Sequence, residues 1–287
     1  MNFELIESGP RTMTVRARCE ALGVSEQGFY AFCARREAPP SARAAEDATL
    51  ADAIAVAHEV GRQNYGTPRI KSELATKGIH TSRRRISRLR TSLGLRVRAP
   101  KAFVLTTNAD PTLTVSPNLL NREFVAAAPN TAWVSDITYL TAGDHWLYLC
   151  TIIDCYSGMI VGRQLSRAID AQLVRDALTM AVRTRQPPPG CLFHSDRGSQ
   201  YASAVFRKDL AAHGFNQSMS RRGNCWDNAV AESSFARLKT ELGDTFEDDY
   251  QARTATYEYI DVFYNMIRIH SRHSMPPRKF ELAHLHN

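Results

Sequence analysis

Three segments rich in β-branched and aromatic residues follow one another between residues 131 and 165, and this run restricts the fold more than any other feature of the chain. Thr131 to Leu140, His145 to Asp154 and Gly158 to Leu165 are separated by short turns, which predicts an antiparallel meander. Further along the chain the pattern predicts alternating elements: a helix over 171–185, a short strand at 191–194, a helix over 199–213, a short strand around 215–219 and a helix through residue 232. A meander followed by alternating helices and strands predicts an α/β fold, with a mixed sheet and helices on its faces.

Two helical units are predicted before the sheet, and the first is the weaker one. Val15, Cys19 and Leu22 share one face of a helix, Gly23 stops it, and Ser25 can cap a second helix. This pattern fits any small helical hairpin as well as a DNA-contacting helix-turn-helix.

The second helical unit carries a more specific signal. Gly78 separates a helix that begins at Pro68 from a second one capped by Thr81 or Ser82. The second helix is expected to bury three apolar residues, Ile86, Leu89 and Leu93. Its outward face carries five arginines, Arg83, Arg84, Arg85, Arg88 and Arg90. Because no acidic residue lies among them to pair with them along the helix, we expect this face to contact DNA, mostly at phosphates.

The charge of the whole chain supports a polyanionic partner. Residues 1–110 hold 18 Lys and Arg against 11 Asp and Glu, a net +7, whereas residues 111–287 hold 18 of each kind. Within residues 65–101, 11 basic residues accompany a single acid, Glu73. Such a concentration of positive charge is typical of a nucleic-acid-binding surface.

Three carboxylates are candidates for a catalytic site. Asp136 falls inside the first predicted strand, Asp196 follows a short apolar strand just before Gly198, and Glu232 lies on a helix. Each has a structural alternative: a hydrogen bond to Thr138 for Asp136, a helix cap for Asp196 and an ordinary exposed position for Glu232. A strand end beside a helix-lined crevice is nevertheless where open α/β sheets place their sites.

Lys239 lies seven residues after Glu232, which is nearly two helical turns, so the two side chains project from the same face. Carboxylates brought together raise each other's pKa, and hard divalent cations such as Mg²⁺ relieve this repulsion. Two ions held by Asp136, Asp196 and Glu232 would support the cutting and joining of phosphodiester bonds.

The spacing of the carboxylates is weaker evidence than the residues around them. With 15 Asp and 14 Glu in 287 positions, roughly one pair separated by the 35 residues between Asp196 and Glu232 is expected by chance. The three blocks that contain the carboxylates, residues 133–139, 194–201 and 217–232, resemble the signature blocks of bacterial insertion-sequence transposases of the DDE type. They are most similar to the second-reading-frame protein of the "insertion sequence three" family, whose catalytic core resembles retroviral integrase.

The resemblance implies a ribonuclease-H-like fold in which Asp136, Asp196 and Glu232 form the metal-binding catalytic triad and Lys239 contacts the element end. It also implies two Mg²⁺ ions, replaceable by Mn²⁺, and two reactions, namely nicking at an element end and strand transfer by the freed 3′ hydroxyl. The implied partners are double-stranded DNA, further copies of the chain on that DNA, and the upstream-frame protein of the same element. Two alternatives stay open: a metal-dependent nuclease of the same fold, and a non-enzymatic DNA-binding regulator of transposition.

We expect four regions along the chain: a helical region over 1–60, a basic DNA-binding helix-turn-helix over 61–100, a linker or docking segment over 101–128, and an integrase-like catalytic core over 129–287. The core is expected to end in a helix over about 250–269 that packs Ile260, Phe263 and Ile267 inward. No apolar stretch is long enough for a membrane helix. We therefore expect a cytoplasmic bacterial protein with no membrane partner, associated with the nucleoid when it is bound to DNA.

Overall fold

The computed structural model describes residues 2–10, 12–37, 39, 41–98, 116–221 and 225–284. The chain divides into two compact units, residues 1–52 and residues 53–287. Over the described ranges, no helix combines the length and the apolar character needed to cross a membrane.

The first unit consists of short helices, α1 (Asn2–Ser8), α2 (Val15–Ala21), α3 (Glu26–Glu37) and the first part of α4 (Ala42–Val60). The predicted turn is confirmed, since Gly23 has a φ of +65° and the Ser25 hydroxyl accepts a hydrogen bond from the Gly28 amide at 3.1 Å. Cys19 and Phe29 are buried together. Leu22 follows the last turn of α2 and is 37% exposed.

The second unit begins with the rest of α4 and the helix pair α5 (Thr67–Thr76) and α6 (Arg83–Ser92). Gly78 adopts a φ of +74° between the two helices, and the Ser82 hydroxyl caps α6 by accepting from the Arg85 amide at 3.1 Å. Ile86 and Leu89 are buried as predicted. Leu93 is 42% exposed, because α6 ends one residue before it.

Six strands form one mixed sheet: β1 (Ala132–Ala142), β2 (His145–Asp154), β3 (Ile160–Ser166), β4 (Leu192–Ser195), β5 (Asn216–Met219) and β6 (Thr245–Phe246). The first five lie in the order β3-β2-β1-β4-β5, and β6 pairs with the far end of β1. The meander β1-β2-β3 is antiparallel, whereas β4, β5 and β6 run parallel to the strands they pair with. The predicted fold class, a mixed sheet with flanking helices, is confirmed.

Helices cover both faces of the sheet. Trp133 belongs to a core shared with α7 (Ala171–Arg185), α8 (Ser199–Ala202) and α9 (Ala204–Ala212). The next residue, Val134, belongs to a second core shared with α10 (Ala229–Glu241), α11 (Asp249–Glu258) and the π-helix Tyr259–Ile267. Alternation along β1 therefore assigns successive side chains to opposite layers. The helix predicted over 199–213 is broken at Ser203, whose hydroxyl caps α9 through the Phe206 amide at 3.3 Å.

The predicted linker, 101–128, lies outside the described residues as far as 115, and its remainder docks on β5. The Ser218 hydroxyl accepts hydrogen bonds from the Leu119 and Leu120 amides at 2.8 and 3.2 Å, and the Met219 amide donates to the Pro117 carbonyl at 3.3 Å. Leu120 is buried in the core below α10. From residue 116 onward, therefore, this segment packs against β5 and the core and is not an exposed linker.

A buried ion pair fixes the closing elements to the end of α10. Arg268 donates three hydrogen bonds to the Glu241 carboxylate at 2.6 to 3.0 Å, and the Tyr259 hydroxyl donates to the same carboxylate at 2.8 Å. The Arg268 amide bonds to the Phe263 carbonyl five residues earlier, which is the π-helical pattern. This wider turn brings Arg268 inward and leaves Ile267 41% exposed, so the predicted burial of Ile267 is wrong.

We expect Glu241→Gln to lower the free energy of unfolding by about 3–5 kcal/mol, because it leaves the buried Arg268 guanidinium without its carboxylate. Urea denaturation measures the effect. The double variant Glu241→Leu/Arg268→Met should be more stable than either single one, since it removes both charges. Arg167→Met, which breaks an exposed pair with Asp249, serves as the control and should change stability little. If the double variant is no more stable than the less stable of the two single variants, Glu241 and Arg268 do not form a buried ion pair.

Candidate active site

Asp136 lies on β1, and Asp196 directly follows β4, the parallel strand beside it. The paired residues of β1 and β4 include Val134 with His194, and extending this register by two residues aligns Asp136 with Asp196. Paired residues of neighbouring strands point to the same face of a sheet. Asp136, two residues after Val134 on β1, therefore faces the layer that α10 covers, and a continuation of the register would turn Asp196 to the same side.

The edge of β1 is open where Asp136 lies. On this edge β4 pairs with β1 only as far as Val134, and β6 pairs again from Thr141. Between these points the Ser135 carbonyl accepts a hydrogen bond from the Asn228 side-chain amide at 3.3 Å. The sheet thus splits at Asp136, and the beginning of α10 is held against the gap.

Glu232 comes to the same gap from α10. It lies one helical turn after Asn228, so the two side chains share a face of the helix. The core side of α10 carries Ala231, Phe235 and Leu238, which anchor the helix on the sheet. Glu232 is only partly buried.

The charge of Asp196 acts on both Asp136 and Glu232. Burial, the Asp196 charge and the Glu232 charge raise the pKa of Asp136 well above its usual value, against the hydrogen bond from the Ile137 amide at 2.9 Å. Burial and the charge of Asp196 likewise raise the pKa of Glu232. Asp196 accepts a hydrogen bond from the Gly198 amide at 3.0 Å, so its carboxylate is oriented by its own turn. The structure therefore brings the three candidates together.

A second buried carboxylate, Asp227, fixes the beginning of α10, and the sequence did not single it out. It accepts two hydrogen bonds from the Arg221 side chain and one from the Arg221 amide, and further ones from Asn118 and Arg122, at 2.8 to 3.0 Å. The Arg221 guanidinium, first among these donors, holds the pKa of Asp227 far below its ordinary value. Its only signal in the sequence is its place in the block before Glu232, which says nothing of its partners.

His194, also missed by the sequence argument, supports β4 from below Asp196. Its ring is buried, with Nδ1 2.8 Å from the Ser218 hydroxyl and Nε2 3.2 Å from the Ser220 hydroxyl. Burial lowers the pKa of His194 to about 4, so the ring is neutral near pH 7. It therefore ties β4 to β5 without adding a charge to the site.

The basic residues predicted to contact DNA, Lys239 and the five arginines of α6, differ in their exposure and contacts. The Lys239 ammonium lies 4.1 Å from the centroid of the Tyr139 ring, on the strand that carries Asp136. On α6, Arg83, Arg84 and Arg88 are exposed and Arg85 is half-buried. The expectation that Arg90 points outward needs correction: it is half-buried, its Nε is enclosed, and its Nη1 lies against Gly66.

The carboxylates converge without forming a closed cage. Over the part of the chain that the structure describes, no three His, Cys, Asp or Glu side chains are grouped tightly enough to hold a metal ion by themselves. The arrangement is an open, partly buried set of oxygen donors at a split in the sheet.

Two protein families match this chain, one over the sheet and one over the helices that precede it. Residues 126–225 match the family described as "Integrase core domain", and residues 44–103 match that described as "HTH-like domain". The first match contains Asp136 and Asp196 and ends before Glu232.

Two relatives are similar along most of the chain. An uncharacterized 31 kDa protein of insertion element IS600 from Shigella sonnei is 42% identical over 256 residues, covering 88% of this chain and 93% of that protein. Transposase InsF for insertion sequence IS3A, from Escherichia coli strain K12, is 35% identical over 288 residues, covering 99% of this chain and 100% of the relative.

A solved structure also matches, the simian T-cell lymphotropic virus intasome in complex with PP2A regulatory subunit B56 gamma. The matched chain has 15% identity, a TM-score of 0.48, and coverage of 74% of this chain and 70% of that one. At 35% identity to InsF over almost its entire length, the chain belongs to the family of the insertion sequence IS3 transposases.

Proposed function

We propose that this DNA transposase nicks DNA at the ends of its element and joins the freed 3′ hydroxyl to target DNA, with Asp136, Asp196 and Glu232 as its catalytic carboxylates. The observation that carries the proposal is the pairing of β1 with β4, which ends two residues before Asp136 and Asp196, beside the strand edge to which Asn228 is bonded. The charge of Asp196, which raises the pKa of both Asp136 and Glu232 in addition to burial, supports the same grouping.

The donor set fits a hard divalent cation. All three side chains offer oxygen, and like charges held close in a partly buried place need a counter-charge. We propose that they hold two Mg²⁺ ions, which Mn²⁺ can replace. When bound, such ions supply Lewis-acid activation of the attacking oxygen and neutralise the charge that develops on the leaving oxygen.

The protein's own groups prepare this site for a phosphodiester. The Ile137 and Gly198 amides orient Asp136 and Asp196, and the Asn228 amide keeps the strand edge open. Lys239, on the same face of α10 as Glu232, supplies a cation for a DNA phosphate near the reacting bond. The site then positions the DNA and its nucleophile, which is the main contribution of a protein to phosphoryl transfer.

Further partners belong to the same proposal. The exposed arginines of α6, Arg83, Arg84 and Arg88, bind DNA phosphates together with Arg85, and half-buried Arg90 supports the helix pair. We propose that the chain acts as a homo-oligomer on element ends, together with the upstream-frame protein of its element, and that it is associated with the nucleoid when bound.

We expect Glu232→Gln and Asp136→Asn each to lower cleavage and strand transfer by at least about 100-fold, because each removes a charged metal ligand and several kcal/mol of transition-state stabilisation. A labelled element-end duplex incubated with Mg²⁺ reports both products on a sequencing gel. Glu247→Gln, an exposed carboxylate on the same unit, is the matched control and should keep full activity. Wild-type product yield from Glu232→Gln would refute the triad, and cleavage without joining by the wild type would identify a nuclease instead.

We expect Asp136→Asn to raise the melting temperature at pH 7 in EDTA. Because the folded pKa of Asp136 lies above its unfolded value, its charge destabilises the folded chain at neutral pH. That cost is relieved as the pH falls through the folded pKa, so the gain should shrink at acid pH. Asp144→Asn is the control of opposite sign, since the hydrogen bond with His145 lowers the pKa of Asp144. A variant no more stable than wild type at pH 7 would contradict the electrostatic argument.

We expect Arg84→Ala/Arg88→Ala to weaken DNA binding and to reduce the slope of log K against log salt by roughly two, since each phosphate contact contributes about 0.9. A fluorescence-anisotropy titration at several salt concentrations measures both. Arg183→Ala/Lys208→Ala removes two exposed charges from α7 and α9 and is the matched control. An unchanged slope in the α6 variant would exclude this helix as a DNA reader.

A further inference from the structure

A cavity of about 270 Å³ lies on the other side of α10 from the carboxylates, and we call it the Arg237 pocket. Its wall includes Ser233 and Arg237 from α10, His270 and Arg272 from the turn after the π-helix, and the rings of Phe124 and Tyr264. The described residues that line it include basic and apolar side chains and no acidic one. Its volume is close to the lower end of the range for small-ligand pockets.

The two guanidinium groups in the wall are bonded only to neutral acceptors. Arg237 donates to the Ser233 carbonyl at 2.7 Å and to the Ser233 hydroxyl. Arg272 donates to the Phe124 carbonyl at 3.3 Å and to the Cys155 carbonyl at 3.0 Å. Within the described ranges neither takes part in a salt bridge, so their charges are not neutralised locally.

Two further arginines add to the positive field around the pocket. Arg268 and Arg69, which comes from α5, both act electrostatically on His270. The nearby carboxylate, Glu241, is occupied by three hydrogen bonds from Arg268. Arg268 Nη1 and Arg69 Nε are buried without a hydrogen-bond partner among the described residues. The surroundings therefore hold more positive charge and more donors than the protein itself satisfies.

His270 responds to this field and stays neutral. Burial, followed by the charges of Arg237 and Arg268, lowers the pKa of His270 to about 3. Its Nδ1 accepts a hydrogen bond from the Arg272 amide at 3.4 Å, which assigns the ring proton to Nε2. Nε2 packs against the backbone of Gly158, another residue of the wall. A neutral donor and two guanidinium groups thus surround one cavity.

The position of the pocket relates it to DNA. Val230, Ser233 and Arg237 follow one another at helical spacing on α10 and line the pocket, whereas Glu232 and Lys239 lie on roughly the opposite side of the helix. Arg69 brings α5, the first helix of the basic pair, within electrostatic range of Arg237. The pocket is therefore close enough to α5 for its charges to interact with those of the basic helix pair.

We propose that the Arg237 pocket binds a phosphate group, which in the assembled complex is a backbone phosphate of DNA held by the α5–α6 pair. The inference that the ligand is a phosphate group follows from the residues of the pocket. The inference that this phosphate belongs to DNA rests on the proposed function. Arginine is suited to this role because its guanidinium can bind two phosphate oxygens at once.

The test compares wild type, Arg237→Gln and Arg237→Lys for binding to element-end duplexes in Ca²⁺ buffer, where no turnover is needed. Each duplex carries one neutral methylphosphonate at a different position. A methylphosphonate at one of these positions should weaken DNA binding by wild type about tenfold and should not weaken binding by Arg237→Gln any further. The slope of log K against log salt should be smaller by about one for Arg237→Gln than for wild type. Arg237→Lys should fall between the two. Arg183→Gln, an equal loss of charge on α7, should keep the wild-type pattern.

Inorganic phosphate distinguishes the two sources of the anion. If phosphate raises the melting temperature of wild type but not of Arg237→Gln, while the methylphosphonate patterns are identical, the pocket is an anion site for free phosphate. The proposal is overturned if folded Arg237→Gln and wild type show the same change in melting temperature with phosphate and the same loss of binding with every methylphosphonate duplex. These measurements do not depend on catalysis, so an active Glu232→Gln would remove the proposed catalytic triad and leave the result on the pocket intact.

Discussion

The parallel pairing of β1 with β4 stops at Val134 and His194, and the geometry of the whole site depends on where it stops. Asp136 and Asp196 lie two residues beyond the last pair, and a continuation of the register would turn them to the same face. The end of the pairing matters as much. Beyond it the two strands are no longer bonded, the Ser135 carbonyl is free to accept from α10, and the gap admits a third carboxylate from a helix. A longer ladder would consume these backbone groups and close the gap.

Placing like charges together costs stability, and the structure offsets this with carboxylates that are fully paired. Asp227 at the beginning of α10 accepts five hydrogen bonds, and Glu241 at its end binds Arg268 and Tyr259. The pKa of Asp227 is lowered, whereas that of Glu232, between the two anchors, is raised. One helix therefore carries acids of two kinds. Those near its ends are satisfied and hold it in place, and the one between them has a raised pKa, as groups at functional sites often do.

Local patterns in the sequence predict most of the helices and strands. They do not predict how these elements pair and pack with one another. The three strands of the meander and α7 follow from periodicity, and the caps of α3 and α6 follow from a serine after a glycine turn. Errors occurred where the helical period changes or ends, as at Leu93, at Ile267 beside the π-helix, and at the break before α9. The carboxylates were identified from the residues around them. Their alignment, and the role of Asp227, depend on pairing between strands and loops far apart in the chain, which no local window contains.

A site built from carboxylates repels the phosphodiester backbone on which it acts, and the charges on α10 address this conflict. Successive residues of a helix are about 100° apart, so Glu232 and Ser233 face different directions although they are neighbours. The stripe through Glu232 faces the gap in the sheet, whereas the stripe through Ser233 and Arg237 faces a region where cations exceed anions. Attraction over the second stripe can hold DNA close while the first remains negative enough to attract metal ions. Both requirements are met on one rigid helix, so their relative positions are fixed by its geometry.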